Sequence, residues 1–420
     1  MFSKFGALRR LSSLTPAILE QALVSAAAFI STLILVRCLS AEDFVFYGIL
    51  TSALYTGSAL QGALILAPLS TLIHKSAYFD NPEEGEATLG VLNLVLVVFT
   101  TGILCVFGAT NLSSLASVLS FMTFSATFLF RQYVRGLFFS AQQPARNLPG
   151  SIANLLVAVV LLGGLAMTEH ANITTVLFAQ TIAHIASIVI NLDRQGWKRL
   201  VPLRCQPRSL LKVLPSQGWA LVGALAARGM TDGPVFICAS MLPPEQTAVV
   251  VATRSLMQPI DMALLAFGNV MRPKWAKLTE SLAGRPALRK QVAWGSFGVF
   301  ALVTTWFGLV VLCMPLLHRY LFIKYAEGLV LVIAIYRGVA FLPTALRKVA
   351  GTELQARGEY RKLSLLQLAS IVMMLGLVGI FLDNLQATDI LLCVAASEGL
   401  GLMAIWLLRD RAARPAPLGA

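Results

Sequence analysis

A chain of 420 residues with 57% hydrophobic and only 13% charged residues, and a mean hydropathy of +0.76, carries more apolar surface than a soluble fold of that length can bury. Those figures exclude a water-soluble globular protein and point to an all-α polytopic membrane protein. The formal charge of +13 raises nucleic acid as a partner, and its placement along the chain assigns it elsewhere.

Lys4, Arg9 and Arg10 precede the first apolar run, and the stretch VSAAAF imitates a signal cleavage site. The run continues to Val36, reaching the roughly 20 residues a span needs and passing the length of a signal h-region, so it reads as an uncleaved first helix over 15–36. The turn VRCLSAEDF follows, with Ser40 placed to cap the second helix and Asp43 three residues on, a pattern suited to a tight hairpin. Further spans are predicted over 44–73, 89–109, 112–134, 151–167 and 172–192, completing an N-terminal six-helix lobe over 1–192. The most charged connection, 193–212, is the predicted cytoplasmic inter-lobe linker. Spans over 213–241, 246–271, 291–313, 326–346, 363–382 and 388–407 form a second six-helix lobe over 213–407, and 408–420 is a cytoplasmic tail. The expected architecture is therefore about twelve transmembrane helices in two pseudo-symmetric lobes around a central cavity.

Of the 33 Lys and Arg, all but six fall on the side of the termini; Arg37, Arg319 and Lys324 lie on the other side, and Arg228, Arg254 and Arg337 lie within spans. This asymmetry places both termini in the cytoplasm. Basic loops facing anionic headgroups account for the net charge, so the partners are membrane lipids and not nucleic acid. The opposite loops, such as TNLSS, TEHANITT and LPPEQTA, are too short to hold a folded domain. A weak internal repeat lays RQYVRGLFFSAQQPARNL after span four on RKVAGTELQARGEYRKLS after span ten, pairing Arg131 with Arg347. Repeats of this kind build many transporters, with the substrate path at the repeat interface.

An ionised side chain at the centre of a span costs about 2.5–3.5 kcal/mol on insertion scales, so such residues turn toward water or a partner. Arg228 and Asp232 are one helical turn apart, with Gly229, Gly233 and Pro234 predicting a bend at the charges. Arg254 and Asp261 lie two turns apart on roughly one face of span eight, with Pro259 between them; Arg337 sits mid-span in span ten, ahead of Pro343. Internal ion pairing is one reading of these groups. The other is a cationic, hydrated site for an anionic substrate, since guanidinium suits phosphate and carboxylate and stays charged. Asp232, Asp261 and Glu398 are candidates for proton or sodium coupling, or for helix pairing. Glu20, near the cytoplasmic end of span one, is expected to reach the headgroups, and His184 in span six reads as a hydrogen-bonded packing residue. Arg131 and Arg135, one turn apart at the cytoplasmic end of span four, are either phosphate contacts at the inner mouth or snorkelling anchors.

No H-e-x-x-H, P-loop or G-x-S-x-G pattern occurs, there are only four histidines, and the six cysteines have no C-x-x-C spacing. The expectation is no catalytic residue, no metal and no cofactor.

The stretch LILVRCLSAEDFVFYGIL resembles the opening of bacterial polysaccharide flippases of the multidrug, oligosaccharidyl-lipid and polysaccharide exporter (MOP) superfamily, with Arg37, Leu39, Glu42, Asp43 and Phe44 matching and Val36, Ser40, Ala41 and Val45 departing. FRQYVRGLFFSAQQP is similar to that family's fourth helix end, and Arg254, Leu256, Pro259, Asn269 and Pro273 to its eighth helix. The resemblance implies a two-lobed alternating-access transporter in the bacterial inner membrane, moving a polyprenyl-diphosphate-linked oligosaccharide for exopolysaccharide, capsule or O-antigen assembly. It further implies a polysaccharide polymerase as partner, and Arg228, Arg254 and Arg337 as residues holding diphosphate or acidic sugar. The alternatives are a multidrug-type cation antiporter of the same superfamily and a membrane-embedded glycan polymerase or acyltransferase.

Overall fold

The computed structural model describes residues 2–73, 78–111, 114–141, 143–168, 171–192, 207–279 and 284–411, and every regular element among them is helical. Residues 193–206 of the expected linker and 412–420 of the expected tail lie outside the described residues, as does Cys205. Contacts divide the chain into Met1–Leu221 and Val222–Ala420, called unit 1 and unit 2 below, a boundary inside one long helix, Pro207–Met241.

Unit 1 begins with α1 (Phe2–Cys38) and α2 (Ala41–Gln61), joined by a turn in which Ser40 accepts from the Asp43 amide at 3.1 Å. That is half of the expected capping pattern, and it satisfies one of the orphan N–H groups that every helix start exposes. The second span does not stay α-helical. Pro68 has no N–H, and its ring would meet the Leu64 carbonyl; the chain widens into a π-helical turn over Gly62–Leu66 before its last helical turn, Ala67–Thr71. The unit continues with α3 (Pro82–Asn111), α4 (Leu115–Ser140), α5 (Leu148–Met167) and α6 (Ile173–Asn191). Ser114 caps α4, and Asn172 with Thr175 forms a reciprocal capping box on α6. α6 packs on both α4 and α5, α5 on α1, and α4 on α3, so α4 and α6 are well enclosed, with 56% of the α6 membrane window buried.

Unit 2 follows the break inside α7 (Pro207–Met241), with α8 (Pro244–Leu256), α9 (Gln258–Thr279), α10 (Gly284–Leu312), α11 (Glu327–Ala356), α12 (Tyr360–Ile380) and α13 (Ala387–Arg411). α7 runs through Gly233 and Pro234 without interruption, so the expected bend does not break the helix. The interruption falls in span eight instead. Pro259 cannot donate to the Ser255 carbonyl, the ladder opens at Met257, and α8 and α9 meet at 44°. α11 is the axis of this unit, packing on α8, α9, α10 and α13.

Ten of the helices among the described residues are long and apolar enough to cross a membrane, and the α8–α9 pair makes an eleventh. The remaining expected span is α4, 26 residues long; Ser120, Thr123, Ser125, Thr127 and Arg131 dilute its hydropathy, with the Thr123 and Thr127 hydroxyls bonded to carbonyls of their own helix and Arg131 reaching Ser187. Large apolar residues point outward, among them Val98, Val160, Leu312 and Ile380, as lipid-facing surfaces require.

Candidate functional site

Two of the arginines within the spans of unit 2 meet at one carboxylate. Asp232 on α7 is 1% exposed, and two guanidinium groups close on it: Arg254 Nη2 lies 2.5 Å from Oδ1, and Arg228 Nη1 lies 3.8 Å from Oδ2. These are ion pairs rather than aligned hydrogen bonds, since neither carboxylate oxygen has a hydrogen-bond partner of good geometry. Arg337 on α11 enters from another side. Its Nη2 donates to the Val250 carbonyl at 3.0 Å, its Nε has no partner, and the residue is buried. Val250 is one turn ahead of Arg254 on α8, so the two arginines address the same stretch of that helix. Exposure rises from Asp232 and Arg337, both buried, through Arg254 at 23% to Arg228 at 35% of the side chain.

One sequence expectation changes here, and one candidate acid takes the helix-pairing reading. Asp261 was assigned to the face of Arg254, but the opening of the ladder at Met257 carries it onto α9, where it accepts from Lys348 Nζ at 2.5 Å in a partly exposed pair. Glu398 on α13 does not join the cluster either; it takes Arg347 Nη1 at 2.9 Å, and the same nitrogen lies 2.9 Å from Ser370 Oγ. Arg347, read from sequence as a basic helix end, is in fact buried and ties α11, α12 and α13 together. Gly401 makes room for it: a Cβ there would sit 3.0 Å from Arg347 Nη1 and 2.7 Å from Ser370 Oγ.

In unit 1, Arg131 and Arg135 are buried rather than snorkelling. Arg135 presents Nε and Nη2 to the two carboxylate oxygens of Glu20 at 2.7 and 3.0 Å, the bidentate geometry that guanidinium favours. Nη1 donates to Gln132, and Glu20 also accepts from Ser151 Oγ at 2.9 Å. Glu20 is fully buried, which corrects the expectation that it reaches the headgroups: Arg135 and Ser151 face α1 and supply the charge and hydrogen bonds that a buried carboxylate requires. Arg131 Nε donates to Ser187 Oγ at 3.0 Å, while its Nη2 has no hydrogen-bond partner. His184 packs its ring on Phe124 and Phe128, with centroids at 5.4 and 5.6 Å. Its Nδ1 is buried and unpartnered, so it is a packing residue without the expected hydrogen bond at that atom.

Sequence reasoning passed over a polar stripe on α6. Gln180, His184, Ser187 and Asn191 recur at i, i+4, i+7 and i+11, one helix face, and all are buried. Gln180 donates to the Tyr47 hydroxyl at 2.8 Å, and Asn191 Oδ1 accepts from the Gly150 amide at 3.0 Å. The spacing alone was the available signal. No cluster of metal-ligating side chains occurs among the described residues.

No protein-family model matches this chain, and no curated protein matches it in sequence. Solved structures do match its fold. An inward-facing multidrug resistance MATE family transporter of the MOP superfamily aligns with TM-score 0.69 and 15% identity over 93% of this chain and 94% of that chain. An outward-facing MATE family transporter gives TM-score 0.66 and 15% identity over 95% of each chain. A MOP superfamily transporter from Pyrococcus furiosus, described as having a binding pocket of reverse polarity, gives TM-score 0.64 and 12% identity over 95% of each chain. The chain therefore has the helical fold of the MOP superfamily transporters.

Proposed function

We propose that the chain is a transporter of the lipid-flippase kind, carrying a polyprenyl-diphosphate-linked oligosaccharide across the bacterial inner membrane, with both termini cytoplasmic. Exopolysaccharide, capsule or O-antigen assembly is the pathway class, with a polysaccharide polymerase consuming the product. The observation that supports this reading is the imbalance at Asp232. Arg228 and Arg254 share that one buried acid, and Arg337 is held by a backbone carbonyl rather than by a carboxylate. Glu398 is engaged by Arg347, and Asp261, within electrostatic reach of Arg337, is shared with Lys348.

Diphosphate matches such a cluster because guanidinium forks bind its oxygens in pairs and remain cationic at any relevant pH. Asp232 holds Arg228 and Arg254 between substrates, and an arriving phosphate competes with it for their N–H groups. That competition makes Asp232 the favoured coupling acid for a proton or sodium, ahead of Asp261 and Glu398. Arg135, saturated by Glu20, has a structural part. The Pyrococcus furiosus transporter is a precedent in the same fold for a pocket of reverse polarity.

The second reading, a cation antiporter, draws on the fold shared with multidrug transporters. Single Arg228→Ala, Arg254→Ala and Arg337→Ala variants, expressed at equal levels in the native host, separate the two. Loss of surface polysaccharide with accumulated lipid-linked precursor is the expected result. Normal polymer in all three overturns the reading, and altered susceptibility to cationic drugs with normal polymer installs the antiporter in its place.

A further inference from the structure

Among the described residues, Arg131 is a cation with no acid in direct contact. The residue is 5% exposed, and its polar contact is the single bond from Nε to Ser187 Oγ at 3.0 Å. The nearest carboxylate, Glu20, already receives two bonds from Arg135 and one from Ser151. A guanidinium does not shed its proton to escape such a site, and leaving it uncompensated in low dielectric costs several kcal/mol. The polar groups around it carry no negative charge. Ser187 accepts from Arg131, so its own hydroxyl proton is available; His184 lies one turn away on α6, within electrostatic reach of Arg131, with Nδ1 buried and unpartnered. Arg131 Nη2 is buried and unpartnered as well.

The internal repeat sharpens the point. Arg131 on span four corresponds to Arg347 on span ten, and each reaches across to the last span of its own unit. In unit 2 that span supplies a carboxylate, Glu398, at 2.9 Å. In unit 1 it supplies a hydroxyl and an imidazole.

We propose that unit 1 binds a monovalent inorganic anion of the halide class between Arg131, Ser187 and His184, serving as the counter-ion that Glu398 provides within unit 2. One excess positive charge calls for one negative charge, and the Phe124 and Phe128 rings that flank His184 favour a small, weakly hydrated ion over phosphate. The site uses none of Arg228, Arg254 and Arg337 and stands whether or not those residues bind diphosphate.

The test uses the full-length protein in detergent micelles. Its unfolding midpoint is followed in sodium chloride, sodium bromide, sodium gluconate and sodium phosphate at matched ionic strength. The midpoint should rise with the logarithm of chloride or bromide concentration and stay flat in gluconate, as binding to the folded state alone requires. Ser187→Asp supplies a carboxylate in place of the ion, so it should melt in gluconate where wild type melts in chloride, with no halide response. Ser187→Ala and Arg131→Gln should also lose the response, and Arg254→Ala should keep it. Crystals grown in bromide should give an anomalous peak beside Arg131, a readout that survives if Ser187→Asp fails to fold. Equal midpoints in chloride and gluconate together with no bromide peak overturn the proposal. A response to phosphate alone also overturns it, and returns Arg131 to the inner-mouth role.

Discussion

Two arginine–carboxylate clusters, one in each unit, are built on opposite terms. In unit 1, Arg135 and Glu20 meet in a bidentate, fully buried pair whose remaining sites are taken by Ser151, Gln132 and Gln21. In unit 2, Asp232 is just as buried but is divided between Arg254 and Arg228, whose side chains are 23% and 35% exposed, and its oxygens lack aligned hydrogen bonds. A saturated pair has nothing left to offer a ligand, whereas an acid without aligned hydrogen bonds, facing partly exposed arginines, can exchange partners. The contrast makes Arg135–Glu20 a lock between α1 and α4, and the Asp232 group the place proposed for binding.

The largest expected effect lies at the lock. Glu20→Gln leaves Arg135 buried without its acid, and breaking a buried pair in this way costs about 3–5 kcal/mol. The loss should be visible as a collapse of monodisperse protein after mild heating in detergent. Glu20→Gln combined with Arg135→Met removes both charges and should recover most of that loss. If Glu20→Gln melts like wild type, the two clusters do not differ in kind. Unit 2 has its own lock in Arg347–Glu398, and Gly401→Val probes it: the added methyls press on Ser370 and Arg347, an overpacking change worth about 1–3 kcal/mol.

These locks were only half legible in the sequence. Hydrophobic runs and their charged ends located the spans, because a bilayer leaves a helix no freedom to hide its length. The buried residues Glu20, Arg131, Arg135 and Arg347 all sit near span ends, where a charge reads equally as a headgroup anchor, so their pairing across 115 positions for Glu20 and Arg135 was invisible. Arg228 and Asp232 were legible because their contact is local, at i and i+4. Arg254 shares a face with Asp261 only along a straight helix, and Pro259, two residues before that acid, opens the ladder at Met257. The polar face of α6 was legible in principle; its residues are uncharged, and charge was the criterion applied.

A smaller effect on stability and a clear one on affinity are expected at Asp232. Asp232→Asn relieves Arg228 and Arg254 of their acid, and both are wet enough to tolerate it, so the loss of stability should stay near 1 kcal/mol. Binding of a soluble probe, inorganic pyrophosphate, should tighten about tenfold, some 1.4 kcal/mol. Arg254→Ala should weaken it by a similar factor. Calorimetric titration of both variants checks the sign: weaker binding in Asp232→Asn would mean that the acid orients the arginines rather than competing for them, and unit 2 would then resemble unit 1.

The smallest effect is expected at Lys348 and Asp261, whose side chains are 45% and 32% exposed. A solvated pair of this kind is worth about 0–1 kcal/mol, and Lys348→Ala should lower the melting point slightly at low salt and not at all in 0.5 M sodium chloride, roughly, where screening removes the attraction. Its value lies in the affinity measurement. With Lys348 gone, Asp261 is released, and if α8 and α9 remain bent at Met257 it stays on its own side of the break, leaving pyrophosphate affinity at the Asp232 cluster unchanged. Weaker binding would show Asp261 swinging to Arg254, which would restore the same-helix pair that a straight span eight requires and add a second acid to the cluster.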